Sequence, residues 1–187
     1  MKKIFMIVIA IAVGLSAMAQ SKFVPEVVAG MNVSKIDYSD SDSRIGFHVG
    51  ARCNYYINEV NEGVYVNAGL LLTLKGFKFY DLYLNPYYLE LPLNVGYSYP
   101  VSEKVSLFGE VGPYFSYGIF GGDDGESVFD KEYGLYHRFD WGIGLRAGVE
   151  FERKFNVSLG YQIGIADVCF DESYSSRNLT ISLGYKF

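Results

Sequence analysis

Cysteine, proline and positive charge are all scarce in this chain, which has two cysteines and five prolines among 187 residues. Low-complexity segments are also missing, so the composition argues against disorder. Sixteen Lys and Arg residues stand against 21 Asp and Glu residues, and the formal net charge of −5 argues against a nucleic-acid partner. Cys53 falls in a predicted strand and Cys169 in a predicted outer loop, so we expect no disulfide. Catalytic motifs are absent too, including the Gly-x-Ser-x-Gly elbow.

Long apolar runs are missing except at the N-terminus, where residues 1–19 resemble a secretory signal. Lys2 and Lys3 form a charged start, residues 4–13 an apolar core, and Ala17-Met18-Ala19 a small-residue cleavage site. The apolar core is shorter than the roughly 20 residues that a transmembrane helix needs. We therefore predict a cleaved signal peptide over residues 1–19, followed by one domain over residues 20–187.

Alternation of large apolar residues with small or polar ones is the dominant pattern of the rest of the chain. Along residues 139–151, the odd positions are apolar and the even positions carry glycine or charge, as in Trp141 and Leu145 against Asp140 and Arg146. Such a period of two places the two sets on opposite faces of a sheet. The pattern predicts eight strands: residues 23–34, 45–57, 64–75, 87–99, 105–117, 136–151, 155–165 and 178–187.

Short and long connections alternate between these strands, which is typical of outer-membrane barrels with short periplasmic turns and longer external loops. A soluble barrel of the lipocalin type is the rival interpretation, with its apolar face inward. However, roughly forty apolar side chains lie on the apolar face, and the interior of an eight-stranded barrel is just wide enough for about a dozen. They must face outward, and so apolar a surface is stable only in lipid. We predict an all-β, eight-stranded antiparallel up-and-down transmembrane β-barrel.

The inward face of this barrel is predicted to carry charges. Arg52 and Arg146 are expected to form a salt-bridge network with Glu90 and Glu110, because unpaired charges inside a lipid-surrounded barrel are costly. Two functions stay open for this network: a structural plug, and a gated polar path. Pro92 and Pro113 lie inside strands, where each removes a hydrogen-bond donor, and we expect a local bulge there.

Aromatic residues collect near the predicted strand ends, where amphipathic rings favour the membrane interfaces. The predicted aromatic girdle comprises Tyr55, Tyr97, Tyr99, Trp141, Phe151 and Tyr185.

Two weaker patterns concern possible sites at the outer end. His48 and His137 fall at a similar height to Ser116 and Asp140, the residue types that outer-membrane acyl hydrolases and transferases use. Polar residues at the barrel rim are the more economical interpretation. The outer loops also contain acidic clusters, at residues 37–42, 123–126 and 171–172, but the glycine and distal glutamate of a calcium-binding loop are missing. We predict no enzyme activity, no cofactor and no metal site.

Three segments carry a resemblance to a known family: Tyr88-Leu89-Glu90-Leu91-Pro92-Leu93, residues 107–117, and the terminal Leu183-Gly184-Tyr185-Lys186-Phe187. They resemble the PorT-like family of outer-membrane β-barrel domains, porin-family proteins of OmpA/OmpX-like eight-stranded architecture. The resemblance implies that the last strand, with Tyr185 and Phe187, is the signal read by the outer-membrane insertion machinery. It leaves function open, since fold does not fix function.

Together these patterns predict an integral protein of the outer membrane of a Gram-negative-type bacterium. Its expected partners are outer-membrane lipid, the insertion machinery, and an unknown protein or surface ligand at the extracellular loops. We expect a structural or surface-interaction role. Two alternatives remain: a porin-like or secretion-associated transport component, and a lipid-modifying enzyme.

Overall fold

The computed structural model describes residues 22–36, 42–75, 77–79, 82–123, 126–127, 129, 137–166 and 175–187. The predicted signal peptide, Cys169 and most of the acidic loop residues lie outside these ranges. The described residues form twelve strands, and no helix among them is long and apolar enough to span a bilayer. The strands are β1 (Phe23–Ile36), β2 (Asp42–Tyr56), β3 (Gly63–Leu74), β4 (Phe77–Phe79), β5 (Leu82–Leu84), β6 (Tyr87–Pro100), β7 (Val105–Phe120), β8 (Gly122–Asp123), β9 (Glu126–Ser127), β10 (Phe139–Phe151), β11 (Phe155–Gly164) and β12 (Ser176–Lys186).

Eight of these strands form a closed antiparallel barrel, which confirms the predicted fold class. The order around the wall is β1-β12-β11-β10-β7-β6-β3-β2, and pairing of β1 with β2 closes the circle. Closure leaves no exposed wall edge, which is a requirement for backbone polar groups in lipid. The four short strands lie outside the wall. They form the hairpin β4–β5, which extends β2, and the hairpin β8–β9.

The two ends of the barrel differ. Both termini of the barrel and the tight connections at residues 57–62, 101–104 and 152–154 lie at one end, which we call the turn end. The longer connections lie at the other, which we call the loop end. Two non-glycine residues of one tight turn, Glu152 and Arg153, have positive φ angles of 51° and 58°.

The side chains of the wall alternate as the sequence predicts. In β10, Leu145 is 56% exposed on the outer surface, whereas its neighbour Arg146 is 8% exposed and points inward. Leu183, in β12, is 63% exposed between the buried Ser182 and Gly184. The polar residues therefore form the core of this protein, and the large aliphatic residues form its surface.

The expected bulge at the prolines is absent. The β6–β7 ladder is interrupted beside them, between the pairs Pro92–Tyr114 and Val95–Val111, but it resumes in the same register. The register is the same on both sides of the interruption, so the lost donors are accommodated without an extra residue. A register shift occurs instead at the first two residues of β6.

Candidate functional site

The interior of the barrel contains a central cluster of three ionised residues, Glu26, Glu110 and Arg146. The Nη1 atom of Arg146 lies 3.0 Å and 3.1 Å from the two carboxylate oxygens of Glu110, and its Nη2 atom lies 3.1 Å from Oε1 of Glu26. The guanidinium also lies over the ring of Phe108, 4.8 Å from the centroid. One arginine on β10 thus links β7 to β1 across the lumen.

Every carboxylate oxygen of the central cluster has a further partner. Tyr65 donates a hydrogen bond to Oε1 of Glu110 at 2.8 Å, and Asn94 approaches its Oε2 at 3.5 Å. Asn156 donates to Oε1 of Glu26 at 3.1 Å and Asn54 to its Oε2 at 3.2 Å. Such saturation is what stabilises buried charges in a low-dielectric interior.

A second group, the loop-end cluster, consists of Lys75, Glu90 and Asp140. The ammonium group of Lys75 lies 2.6 Å from Glu90 and 3.7 Å from Asp140, and it is 4.5 Å from the centroid of the Tyr114 ring. All three charged side chains are almost completely buried. Hydroxyl groups add further contacts, since Ser116 donates to Glu90 and Ser176 to Oδ2 of Asp140.

The turn end is closed by a third group, the turn-end cluster of Tyr56, Glu150 and Lys186. Lys186 forms an ion pair with Glu150 and donates to the hydroxyl of Tyr56 at 2.9 Å. The ring of Tyr56, which is fully buried, packs against Tyr65 with 5.0 Å between centroids. Gly96 makes room for Tyr65, because a Cβ atom there would lie 2.5 Å from its ring.

Arg52 does not join any of these clusters. Its Nε and Nη1 atoms are buried, and it has no hydrogen bond or ion pair with any residue that the structure describes. It borders an internal cavity of about 50 Å³, which lies between the central and loop-end clusters.

The predicted network therefore needs two corrections. Arg146 pairs with Glu110, as the sequence suggests, but Glu90 pairs with Lys75 instead of an arginine. The inward position of Lys75 at the end of β3 places its ammonium beside Glu90, and this leaves Arg52 without a carboxylate. Glu26, Lys75 and Lys186 were not among the predicted site residues, although each continues the inward alternation of its strand.

A family comparison accounts for this architecture. The family model described as "Outer membrane protein beta-barrel domain" matches residues 5–187. The chain belongs to this family. Comparison with curated proteins finds no match.

Solved structures resemble this outer-membrane barrel over most of its length. Neisserial surface protein A is 14% identical and covers 89% of this chain and 98% of its own, with a TM-score of 0.62. The outer membrane enzyme PagL is 17% identical and covers 87% of this chain and 98% of its own, with a TM-score of 0.54. Ail, the attachment invasion locus protein of Yersinia pestis, is 18% identical and covers 88% and 98%, with a TM-score of 0.48. At these identities, the first two likenesses show a shared fold.

The aromatic residues of this outer-membrane barrel lie at both ends of the wall. Phe155 and Tyr185 pack edge to face at 5.1 Å, and Tyr185 packs in the same way on Phe187. The predicted girdle residues Tyr55, Tyr97, Tyr99 and Phe151 are exposed on the wall at the turn end, and Trp141 is exposed towards the loop end.

His48 does not form the arrangement considered above. The Nε2 atom of His48 lies 2.9 Å from the hydroxyl of Ser182, deep in the lumen, and not beside Ser116 or Asp140. Ser116 instead contacts Lys75 and Glu90. A buried pair of this kind has no access to a lipid substrate at the membrane surface.

An aromatic side chain packs against β6 and β7 at the loop end. Phe129, which is 4% exposed, packs edge to face on Tyr88 at 5.6 Å, and the guanidinium carbon of Arg138 lies 5.2 Å from the centroid of its ring. Gly118 allows this approach, because a Cβ atom there would lie 2.3 Å from the Phe129 ring. Sequence alternation gives no signal for this contact, since Phe129 lies outside the wall strands.

Proposed function

We propose that this outer-membrane barrel acts through its wall and its outer loops, as a structural or surface-interacting protein, rather than as an open pore. One observation carries the proposal: three clusters of buried, mutually paired side chains occupy the lumen at successive heights. Eight strands enclose a space that side chains can fill. The wall thus supplies stability, and the loop end supplies the surface on which a partner can dock.

Five finer features belong to the same proposal. Residues 1–19 are a signal peptide that is removed on export, and the turn end faces the periplasm. Tyr185 and Phe187 are the signal that the insertion machinery reads, which the exposure of Phe187 at the end of the chain's last strand supports. Membership of the PorT-like group is supported by the segments around Glu90 and Leu183. The protein has no enzyme activity.

Bilayer conductance tests the closed lumen. We expect the purified protein to give no steady single-channel current in a planar bilayer. A sustained current in the wild-type protein that disappears when Arg52 or Arg146 is replaced would favour the transport alternative, for which the cavity beside Arg52 is the supporting observation.

Cross-linking on intact cells tests the surface role. A cell-impermeant cross-linker is applied to cells that express either the wild type or a variant whose residues 122–135 are replaced by a short Gly-Ser linker. We expect one cross-linked partner to be lost with the replaced loop and kept in Lys104→Met, an exposed change at the other end. Identical cross-linking profiles in all three strains would contradict a role for this loop.

A lipid analysis tests the absence of enzyme activity. We expect the His48→Ala variant to leave the cellular lipid profile unchanged, because His48 is buried against Ser182. Loss of one lipid species in that variant would show that the barrel acts on lipid.

A further inference from the structure

The loop-end cluster has one cation for two carboxyl groups, and the contacts of these two groups differ. Both oxygens of Glu90 have close partners, since Gln162 donates to its Oε1 at 2.7 Å and the ammonium group of Lys75 lies 2.6 Å from its Oε2. The same ammonium group is 3.7 Å from Oδ2 of Asp140, which is beyond hydrogen-bond distance. Lys75 therefore compensates the charge of Glu90 in preference to that of Asp140.

Asp140 has too few donors around it for an ionised carboxylate. Its side chain is 2% exposed, and its Oδ1 atom is buried without a hydrogen-bond partner among the residues that the structure describes. An ionised carboxylate accepts hydrogen bonds at both oxygens, whereas a carboxylic acid needs fewer donors and supplies one of its own. Because a buried charge with an unsatisfied oxygen is costly, the neutral acid fits this position better.

Three oxygen atoms at this position form a closed triangle of contacts. Oδ2 of Asp140 lies 3.2 Å from the hydroxyl of Ser176 and 3.4 Å from that of Tyr114, and the two hydroxyl groups lie 3.3 Å from each other. Three such contacts need three hydrogen atoms, and the two hydroxyl groups supply only two. A proton on Oδ2 supplies the third, and each oxygen atom then donates once and accepts once.

The other groups that face Asp140 leave this proton in place. They are Lys75 beside β3, Glu90 on β6 and Tyr114 on β7, while β12 contributes the hydroxyl of Ser176 and the inward side chains of β11 do not titrate. Lys75 attracts a negative charge on Asp140 and Glu90 repels it, so the two act in opposite directions.

We propose that Asp140 keeps a proton in the folded barrel at neutral pH, and that this proton closes a latch that joins β7, β10 and β12 at the loop end. Loss of the proton at higher pH leaves one contact of the triangle without a hydrogen atom and places a second negative charge beside Glu90. The latch then weakens at the start of β12, where Ser176 lies. This pH response goes beyond the proposed function, because it depends on no partner and no conductance.

Infrared spectroscopy detects the proton directly, because the carbonyl band of a carboxylic acid is separate from the bands of a carboxylate. The wild-type protein is refolded in lipid vesicles at neutral pH with aspartate that carries carbon-13 in its side-chain carboxyl group. We expect one acid band that shifts with this label, that is missing from Asp140→Asn and that remains in Glu90→Gln. The labelled wild type gives a result even where a variant fails to fold. Absence of an aspartic acid band, or its persistence in Asp140→Asn, overturns the proposal.

Urea unfolding at several pH values gives an independent result. A carboxyl group that keeps its proton only in the folded protein makes the folded state bind more protons than the unfolded chain, so stability falls as the pH rises above about 4. Between about pH 5 and 7, we expect the unfolding constant of the wild type to rise by up to about tenfold more per pH unit than that of Asp140→Asn.

The matched variant Glu90→Gln makes the same chemical change at the carboxyl group that pairs with Lys75. At neutral pH, Asp140→Asn should be at least as stable as the wild type, because an amide can take the place of a neutral acid. Glu90→Gln should be less stable, because it leaves a buried ammonium group without its partner. If Asp140→Asn instead loses as much stability as Glu90→Gln, Asp140 is an ionised partner of Lys75 and the proposal is wrong.

Discussion

Replacing Arg146 tests whether the central cluster stabilises the barrel. The Arg146→Met change removes the only cation among the described residues that directly contacts Glu26 and Glu110, and it leaves both carboxylates buried. Removing one partner of a buried ion pair typically costs about 3–5 kcal/mol. Tyr65 still donates a hydrogen bond to Glu110, and Asn54 and Asn156 still donate to Glu26. We therefore expect the free energy of unfolding to fall by about 4 kcal/mol rather than by twice that amount.

Urea unfolding of the protein in lipid vesicles measures this change, and Trp141, the single tryptophan, reports on it by fluorescence. Adding Glu110→Gln to Arg146→Met should restore part of the lost stability, because the second change removes a buried charge that has lost its partner. Lys104→Met is the control. Its ion pair with Glu152 is exposed at 3.7 Å, so the free energy of unfolding should change by less than about 1 kcal/mol. Equal stabilities for Arg146→Met and Lys104→Met would refute the reasoning.

Three further changes test the interior, the turn and the lipid-facing wall, each by the same unfolding measurement. Gly96→Leu should destabilise the barrel by about 2 kcal/mol or more, since its side chain would collide with the ring of Tyr65; wild-type stability would show that the ring can move aside. Replacing Glu152-Arg153 by Asn-Gly should stabilise the protein by about 1 kcal/mol, because both positions have positive φ; a loss of stability would contradict this. Leu145→Arg should cost about 2–4 kcal/mol in vesicles, as for a charge near the bilayer midplane, and no cost would mean that this face does not meet lipid.

The strand count and the orientation of the faces could be predicted from the sequence because lipid imposes a strict rule on every second residue. Leu145 and Leu183 can only point outward in so narrow a barrel, and their neighbours then point inward. The predicted strand ends agree less closely with the structure. β7 continues to Phe120, beyond the predicted residue 117, and the hairpin β4–β5 lies in a segment that was predicted as a connection.

The partners inside the lumen could not be predicted, because they depend on how the strands are staggered around the barrel. Arg52 and Glu90 lie on the same face and were expected to belong to one salt-bridge network. In the structure, Glu90 forms its ion pair with Lys75 instead. Phe129 illustrates the same limit at the loop end, since its position depends on the space above Gly118 and not on any repeat in the sequence.

The barrel closes where β1 pairs with β12. Side chains of β10 contact both of these strands, although β10 pairs with neither. Arg146 reaches Glu26 on the first strand, and Glu150 reaches Lys186 on the last. Separating β1 from β12 therefore breaks the ion pair between Arg146 and Glu26 as well as a ladder of backbone hydrogen bonds, while the pair between Glu150 and Lys186 fixes β12 to the wall. The contact between the first and the last wall strand, at which a barrel made from one chain can open, is thus stabilised by an ion pair inside the lumen.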